Sequence, residues 1–98
     1  MNFKLLFTDQ ASKDLERLEN DLGLIKVLKS VRKSLAFLQN DPRHPSLNTH
    51  KYHSIKRQKG EEIFEAYAQN NTPAAYRIFW HYSPDRSNIT VITITAHP

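Results

Sequence analysis

The chain has 98 residues, 39% hydrophobic and 24% charged, with no cysteine and two glycines. That is one small globular domain over 1–98, too apolar for a disordered segment and without thiols for disulfides, thiolate metal sites or a cysteine nucleophile. The charge of +4 is unevenly spread. Residues 1–25 and 60–98 each carry a net −2, whereas residues 26–59 hold nine basic side chains against Asp41 alone, a net +8. A local field of that sign attracts polyanions, nucleic acid before membrane. No apolar run approaches the 18 or so residues of a membrane span. The opening MNFKLLFTDQ reaches Asp9 too soon for a signal peptide, so the expected address is the cytoplasm.

Phe3–Thr8 is short and bulky and predicts a strand. Thr8 or Asp9 then offers a helix N-cap, because a side-chain oxygen there can accept an orphan backbone N–H. Ala11, Leu15, Leu18 and Leu22 follow at spacings of 4, 3 and 4, one apolar stripe of a helix that Gly23 is placed to end. Leu24, Leu28, Val31, Leu35 and Leu38 repeat the pattern and predict a second helix over about 24–39, with Lys26, Lys29, Arg32 and Lys33 off the stripe. Asp41-Pro42 stops it, since a residue before proline avoids helical geometry. Residues 41–60 read as a long connection with an extended piece around Tyr52–Ile55. Glu62–Gln69, Ala75–Tyr82 and Asn88–Ala96 are three β-rich runs separated by turn compositions, a meander.

The order β-α-α-β-β-β predicts an α+β fold: an N-terminal strand, a helical hairpin, then an antiparallel meander, with the hairpin on one face of the sheet. Alternation along the last strand puts Ile92 and Ile94 against the helices and Thr93, Thr95 and His97 outward, and leaves the outer face without cover.

Arg77 is the only charge inside the aromatic run Tyr76–Trp80. Its guanidinium can hold a phosphate bidentately and steady charge on phosphorus, or it can pair with Glu65 on the neighbouring strand. His97 can exchange a proton near neutral pH, or be an unremarkable terminal residue. Lys51, Lys56, Arg57 and Lys59, with Tyr52 among them, form a basic segment able to follow a phosphate backbone and stack on a base, or simply a solvated loop. His44, His50 and His53 have no carboxylate at ligand spacing, so no metal site is expected and no cofactor is implied. There is no glycine-rich phosphate loop and no serine elbow.

In this order and spacing the chain resembles the RelE/ParE superfamily of bacterial toxins, the best single match being the strand Tyr76-Arg77-Ile78-Phe79-Trp80. The resemblance implies a small basic toxin neutralised by an acidic antitoxin. It also implies one of two actions: metal-independent endonucleolytic cleavage of mRNA at the ribosome, with the RNA's own 2′-hydroxyl as nucleophile, or inhibition of DNA gyrase. In the first, Arg77 falls where a phosphate-stabilising arginine stands, His97 where a C-terminal acid stands, and Lys51, Lys56, Arg57 and Lys59 in the RNA-contacting region. Glu65 and His50 are the candidates for general base. The chain departs from the ribonuclease pattern by ending in Pro98 rather than a tyrosine, which keeps a catalytically inactive relative open as a third reading.

Overall fold

A computed structural model describes residues 2–53, 62–70, 72 and 74–96. Strand β1 (Lys4–Phe7) leads into helix α1 (Asp9–Glu19), and a 3-10 turn at Leu22–Leu24 joins it to helix α2 (Ile25–Asn40). A second 3-10 turn (Pro45–Leu47) precedes the two-residue strand β2 (His50–Lys51). Strands β3 (Phe64–Tyr67), β4 (Tyr76–Tyr82) and β5 (Asn88–Ala96) complete one five-stranded sheet in the order β1-β5-β4-β3-β2. The α+β expectation holds, with the meander β3-β4-β5 antiparallel and β1 added parallel to β5 at one edge.

The helices form for the reasons their sequences suggest. Thr8 caps α1: its hydroxyl oxygen accepts from the Ala11 N–H, and its O–H donates to the Ile92 carbonyl, tying the helix start to β5. Ala11 and Leu18 of α1 and Val31, Leu35 and Leu38 of α2 are buried, one apolar stripe from each helix. Lys26, Lys29, Arg32 and Lys33 are exposed, as their positions off the stripe require. Arg32 reaches Glu19 across the hairpin at 3.1 Å, but both side chains are near half exposure, so the pair contributes under about 1 kcal/mol.

Three sequence expectations are corrected. Gly23 does not end α1. The helix stops at Asn20, whose backbone and side-chain N–H groups both donate to Glu16 O; Asp21 then caps the 3-10 turn through the Gly23 N–H. Leu22 is consequently off the stripe and 84% exposed. The extended piece of the connection lies earlier than Tyr52–Ile55, at His50–Lys51, where it pairs with β3; residues 54 and 55 lie outside the described residues.

The third correction concerns which side of β5 is buried. The pairing of β4 with β5 slips between Phe79 and Trp80: Phe79 faces Thr93 but Trp80 faces Val91, leaving Ile92 as the extra residue of a β-bulge. Before the bulge, Ile89 and Val91 point into the core with no exposed surface; after it, Ile94 does so. Ile92 is only partly buried. Simple alternation assigns Ile89 and Val91 to the wrong face because a bulge inverts the period.

Candidate functional site

The outer face of the sheet, away from the helices, gathers three of the residues singled out above, His50, Glu65 and Arg77. His50 lies directly across from Glu65, and Glu65 across from Phe79. One step along, Tyr67 lies across from Arg77, and Arg77 across from Thr95. Residues two apart on a strand share a face, so Glu65 and Arg77 are diagonal neighbours within side-chain reach.

Their side chains use that reach. Arg77 Nη1 donates to Glu65 Oε2 at 2.7 Å, and His50 Nε2 stands 2.7 Å from Glu65 Oε1. One carboxylate thus joins a guanidinium and an imidazole. Only 6% of the Glu65 side chain and 14% of the Arg77 side chain are exposed. A carboxylate this buried keeps its charge at tolerable cost only when cations and donors surround it. The Arg77 guanidinium also lies over the Tyr67 ring, 4.0 Å from its centre, and the Tyr67 ring meets His50 edge-on at 5.5 Å. His50 Nδ1 is 3.1 Å from Asn48 O, so each ring nitrogen faces an oxygen acceptor.

The geometry is that of one carboxylate shared by a guanidinium and an imidazole. Arg77 Nε is buried and has no acceptor among the described residues. It keeps donor capacity beyond its bond to Glu65, and a phosphate oxygen is a natural acceptor for a guanidinium edge. Glu65 holds the guanidinium in place while no other anion is present.

The remaining expected residues divide. Tyr52 stands on this face, but its ring packs edge-on against Phe79 at 4.8 Å, and Phe79 is 7% exposed as a result. The outer face is therefore partly covered, contrary to the expectation of a bare one, and Tyr52 does packing work there. Lys51 points to the opposite side of the sheet, next to Phe64, and pairs with Glu62 at 3.5 Å. Lys56, Arg57, Lys59 and His97 lie outside the described residues. Among the described residues, no cluster of three metal-ligating side chains occurs. Tyr67 is the participant that sequence reasoning missed; its position two residues after Glu65 is the signal that would have found it.

No protein-family profile matches the chain, and no curated protein matches it significantly. Solved structures do. A YoeB/ParE toxin from Agrobacterium tumefaciens superposes with a TM-score of 0.73 at 11% identity, covering 98% of this chain and 100% of that one. The RelE of an archaeal RelE–RelB complex from Pyrococcus horikoshii gives 0.66 at 12% identity, covering 98% and 96%. YoeB from Staphylococcus aureus, solved as a dimer, gives 0.66 at 14% identity over both whole chains.

This chain has the RelE/ParE toxin fold.

Coverage of both partners from end to end means the likeness includes the hairpin, the parallel β1 and the meander together, not one shared motif. The RelE/ParE fold here carries Arg77 and Glu65 on its outer sheet face. No helix among the described residues is long and apolar enough to cross a membrane.

Proposed function

We propose that the chain is the toxin of a type II toxin–antitoxin pair, acts in the cytoplasm, and cleaves translated mRNA endonucleolytically at the ribosome. The observation that carries this reading is the His50–Glu65–Arg77 chain, half-exposed at His50 and buried at Glu65 and Arg77, with Arg77 donating at 2.7 Å to a carboxylate that a phosphate can replace.

In this reading the scissile phosphate displaces Glu65 from Arg77, and the guanidinium binds two non-bridging oxygens as charge builds on phosphorus. The exchange frees Glu65 Oε2. That oxygen takes the proton of the RNA 2′-hydroxyl as the 2′-oxygen attacks phosphorus, while His50 keeps the carboxylate oriented through Oε1. The bond to the 5′-oxygen breaks, and His97 donates the proton that the leaving oxygen needs. The products are a 2′,3′-cyclic phosphate and a 5′-hydroxyl. The arginine supplies the positive charge and the RNA supplies the nucleophile, so the scheme draws on neither metal nor cofactor. Lys51, Lys56, Arg57 and Lys59 contribute affinity for the RNA backbone.

The partner in this reading is an acidic antitoxin. Solved relatives include a RelE–RelB complex and a DinJ–YafQ toxin–antitoxin complex. Here Leu6 and Phe7 on the edge strand β1, and Leu22 and Ile25 at the hairpin tip, are exposed apolar side chains that a partner could cover.

A second reading rests on the same ion pair. Arg77 bonded to Glu65 and stacked on Tyr67 also works as a structural brace, as it would in a gyrase-directed or catalytically inactive protein of this fold. Controlled expression of the chain and of Arg77→Ala, with primer extension on a translated reporter mRNA, separates the two. Cuts in the reading frame that vanish in a soluble, folded Arg77→Ala protein are the expected result. Growth arrest with intact mRNA and gyrase-linked DNA breaks would move the assignment to gyrase.

A further inference from the structure

Glu65 has a guanidinium on one carboxylate oxygen and an imidazole on the other, and the exchange proposed above removes the guanidinium. When an oxyanion claims Arg77, the Glu65 side chain, 6% exposed, loses its main counter-charge. A buried carboxylate in that state is costly unless another cation replaces the one it lost. His50 is placed to be that cation. Its Nε2 stands 2.7 Å from Glu65 Oε1, and half of its side chain is exposed, so a proton reaches the ring from solvent without crossing the core.

The surroundings of the ring favour its charged form. Nε2 faces the carboxylate and Nδ1 faces Asn48 O at 3.1 Å. A neutral imidazole has one N–H and one lone pair, so either tautomer turns a lone pair on an oxygen. Only the imidazolium donates at both ends. Local structure fixes the second acceptor. Asn48 takes a left-handed conformation, φ 46°, at the end of the Pro45–Leu47 turn, and its N–H donates to Pro45 O at 3.1 Å. Its carbonyl is thereby aimed two residues on, at the His50 ring.

The other charged and titratable neighbours are engaged elsewhere. Tyr67 of β3 meets the His50 ring edge-on at 5.5 Å and turns its face to the Arg77 guanidinium. Arg77 of β4 lies beyond Glu65. Lys51, next along β2, turns to the other side of the sheet and pairs with Glu62. Arg43 and His44 line a cleft that His50 also borders, but His44 Nδ1 accepts from the Ser46 N–H at 3.1 Å. Between Glu65 and His50 the proton goes to the ring, since an imidazole is ordinarily about a hundredfold more basic than a carboxylate.

We propose that oxyanion binding at Arg77 is proton-coupled: as the anion displaces Glu65, His50 takes one proton from solvent and becomes the carboxylate's counter-ion. The proposal rests on the exchange at Arg77 described above, but not on cleavage. The bound state holds the extra proton, so affinity for the anion strengthens as the pH falls. Glu65 stays ionised, and able to act as a base, at the moment Arg77 leaves it.

Sulfate is the probe, because it keeps one charge across the neutral range and is inert to cleavage. The full chain is titrated with sodium sulfate at constant ionic strength, and the ring-proton resonances of His50, identified by their contact with the Tyr67 ring, are followed against pH. Saturating sulfate is expected to move the His50 titration midpoint upward. Sulfate affinity should rise about fivefold from about pH 8.5 to about pH 6, within the tenfold per pH unit that a single proton allows. His50→Gln, which keeps a donor for Glu65 but takes no proton, should bind sulfate equally at every pH in that range, and Arg77→Ala should lose the His50 response. Sulfate binding with an unmoved His50 midpoint would overturn the proposal and leave the ribonuclease reading untouched. So would a pH dependence that persists in His50→Gln, which puts the proton elsewhere, or a His50 response that survives Arg77→Ala, which shows an adventitious ion only. Absence of any sulfate response would overturn the proposal together with the exchange at Arg77. Intact reporter mRNA with the proton coupling present would instead count against the ribonuclease reading and leave the coupling standing.

Discussion

Removing the Glu65 carboxylate leaves the Arg77 guanidinium mostly buried and His50 without its acceptor. Breaking a buried pair from one side costs far more than the pair's net worth, because the surviving charge stays desolvated. Glu65→Ala is therefore expected to lower unfolding stability by about 3 kcal/mol in urea denaturation. Arg77→Ala should cost less, since Glu65 retains His50. If both variants are equally stable to the parent chain, the centre is looser than its 2.7 Å contacts imply. A second single-residue effect belongs to Asp85. Hydrogen bonds from the Ser83 hydroxyl, then from the Ser87 hydroxyl and backbone N–H, favour its charged form and lower its pKa from 3.8 to about 2. A depressed carboxylate adds stability above its unfolded pKa and loses it as the pH falls towards the folded one. Asp85→Asn should thus be less stable than the parent above about pH 4 and indistinguishable from it below about pH 2, and a thermal-melt series across that range checks the sign.

At the scale of elements, the vulnerable part is the edge of β5 beyond the last pair with β1. β1 covers β5 only from Asn88 to Val91, so the following N–H groups would face solvent or another chain. Helix α1 closes the gap. Asp14 Oδ2 accepts from the Ile94 N–H at 2.9 Å and from the Thr93 hydroxyl at 2.7 Å. Asp14→Ala should raise amide hydrogen exchange at Ile94 selectively and increase self-association at high concentration, while β3 and β4 keep their protection. Uniformly faster exchange throughout the sheet would show instead that Asp14 supports global stability. The bulge between Phe79 and Trp80 is the other element-scale feature with consequences. It lets β5 present Ile89 and Val91 to the core before it and Ile94 after it. It also leaves Thr93 and Thr95 beside Phe79 and Arg77 on the outer face.

Across the whole molecule, charge and topology act together. The basic middle third is divided by the fold: Lys26, Lys29, Arg32 and Lys33 ride on α2, while Arg43 and Lys51 border the cleft. Among the described residues, Arg43 and Lys51 lie near Arg86 at one end of the sheet. In the ribonuclease reading, affinity of the chain for single-stranded RNA should fall by at least tenfold as salt is raised from about 50 to about 200 mM, because each phosphate contact releases counterions, and an affinity unchanged over that range would show that these cations do not hold the backbone.

How much of this was legible beforehand depends on the range of the interaction. The two helices, the meander and the pairing open to Arg77 and Glu65 follow from periodicities and neighbours within a few residues, because an apolar stripe or a strand alternation is a local property of the chain. The fold resemblance follows from their order. Tertiary structure alone decided the rest. It placed β1 parallel to β5, a pairing of Lys4 with Asn88 across nearly the whole chain that no local pattern encodes. It set the bulge, since register depends on how two distant strands fit over one core. It joined His50 to Glu65 and Arg77, and it put Lys51 with Phe64, Trp80 and Tyr82 on the other side. Those groupings come from residues up to dozens of positions apart, and only closure of the sheet brings them within hydrogen-bonding or stacking distance.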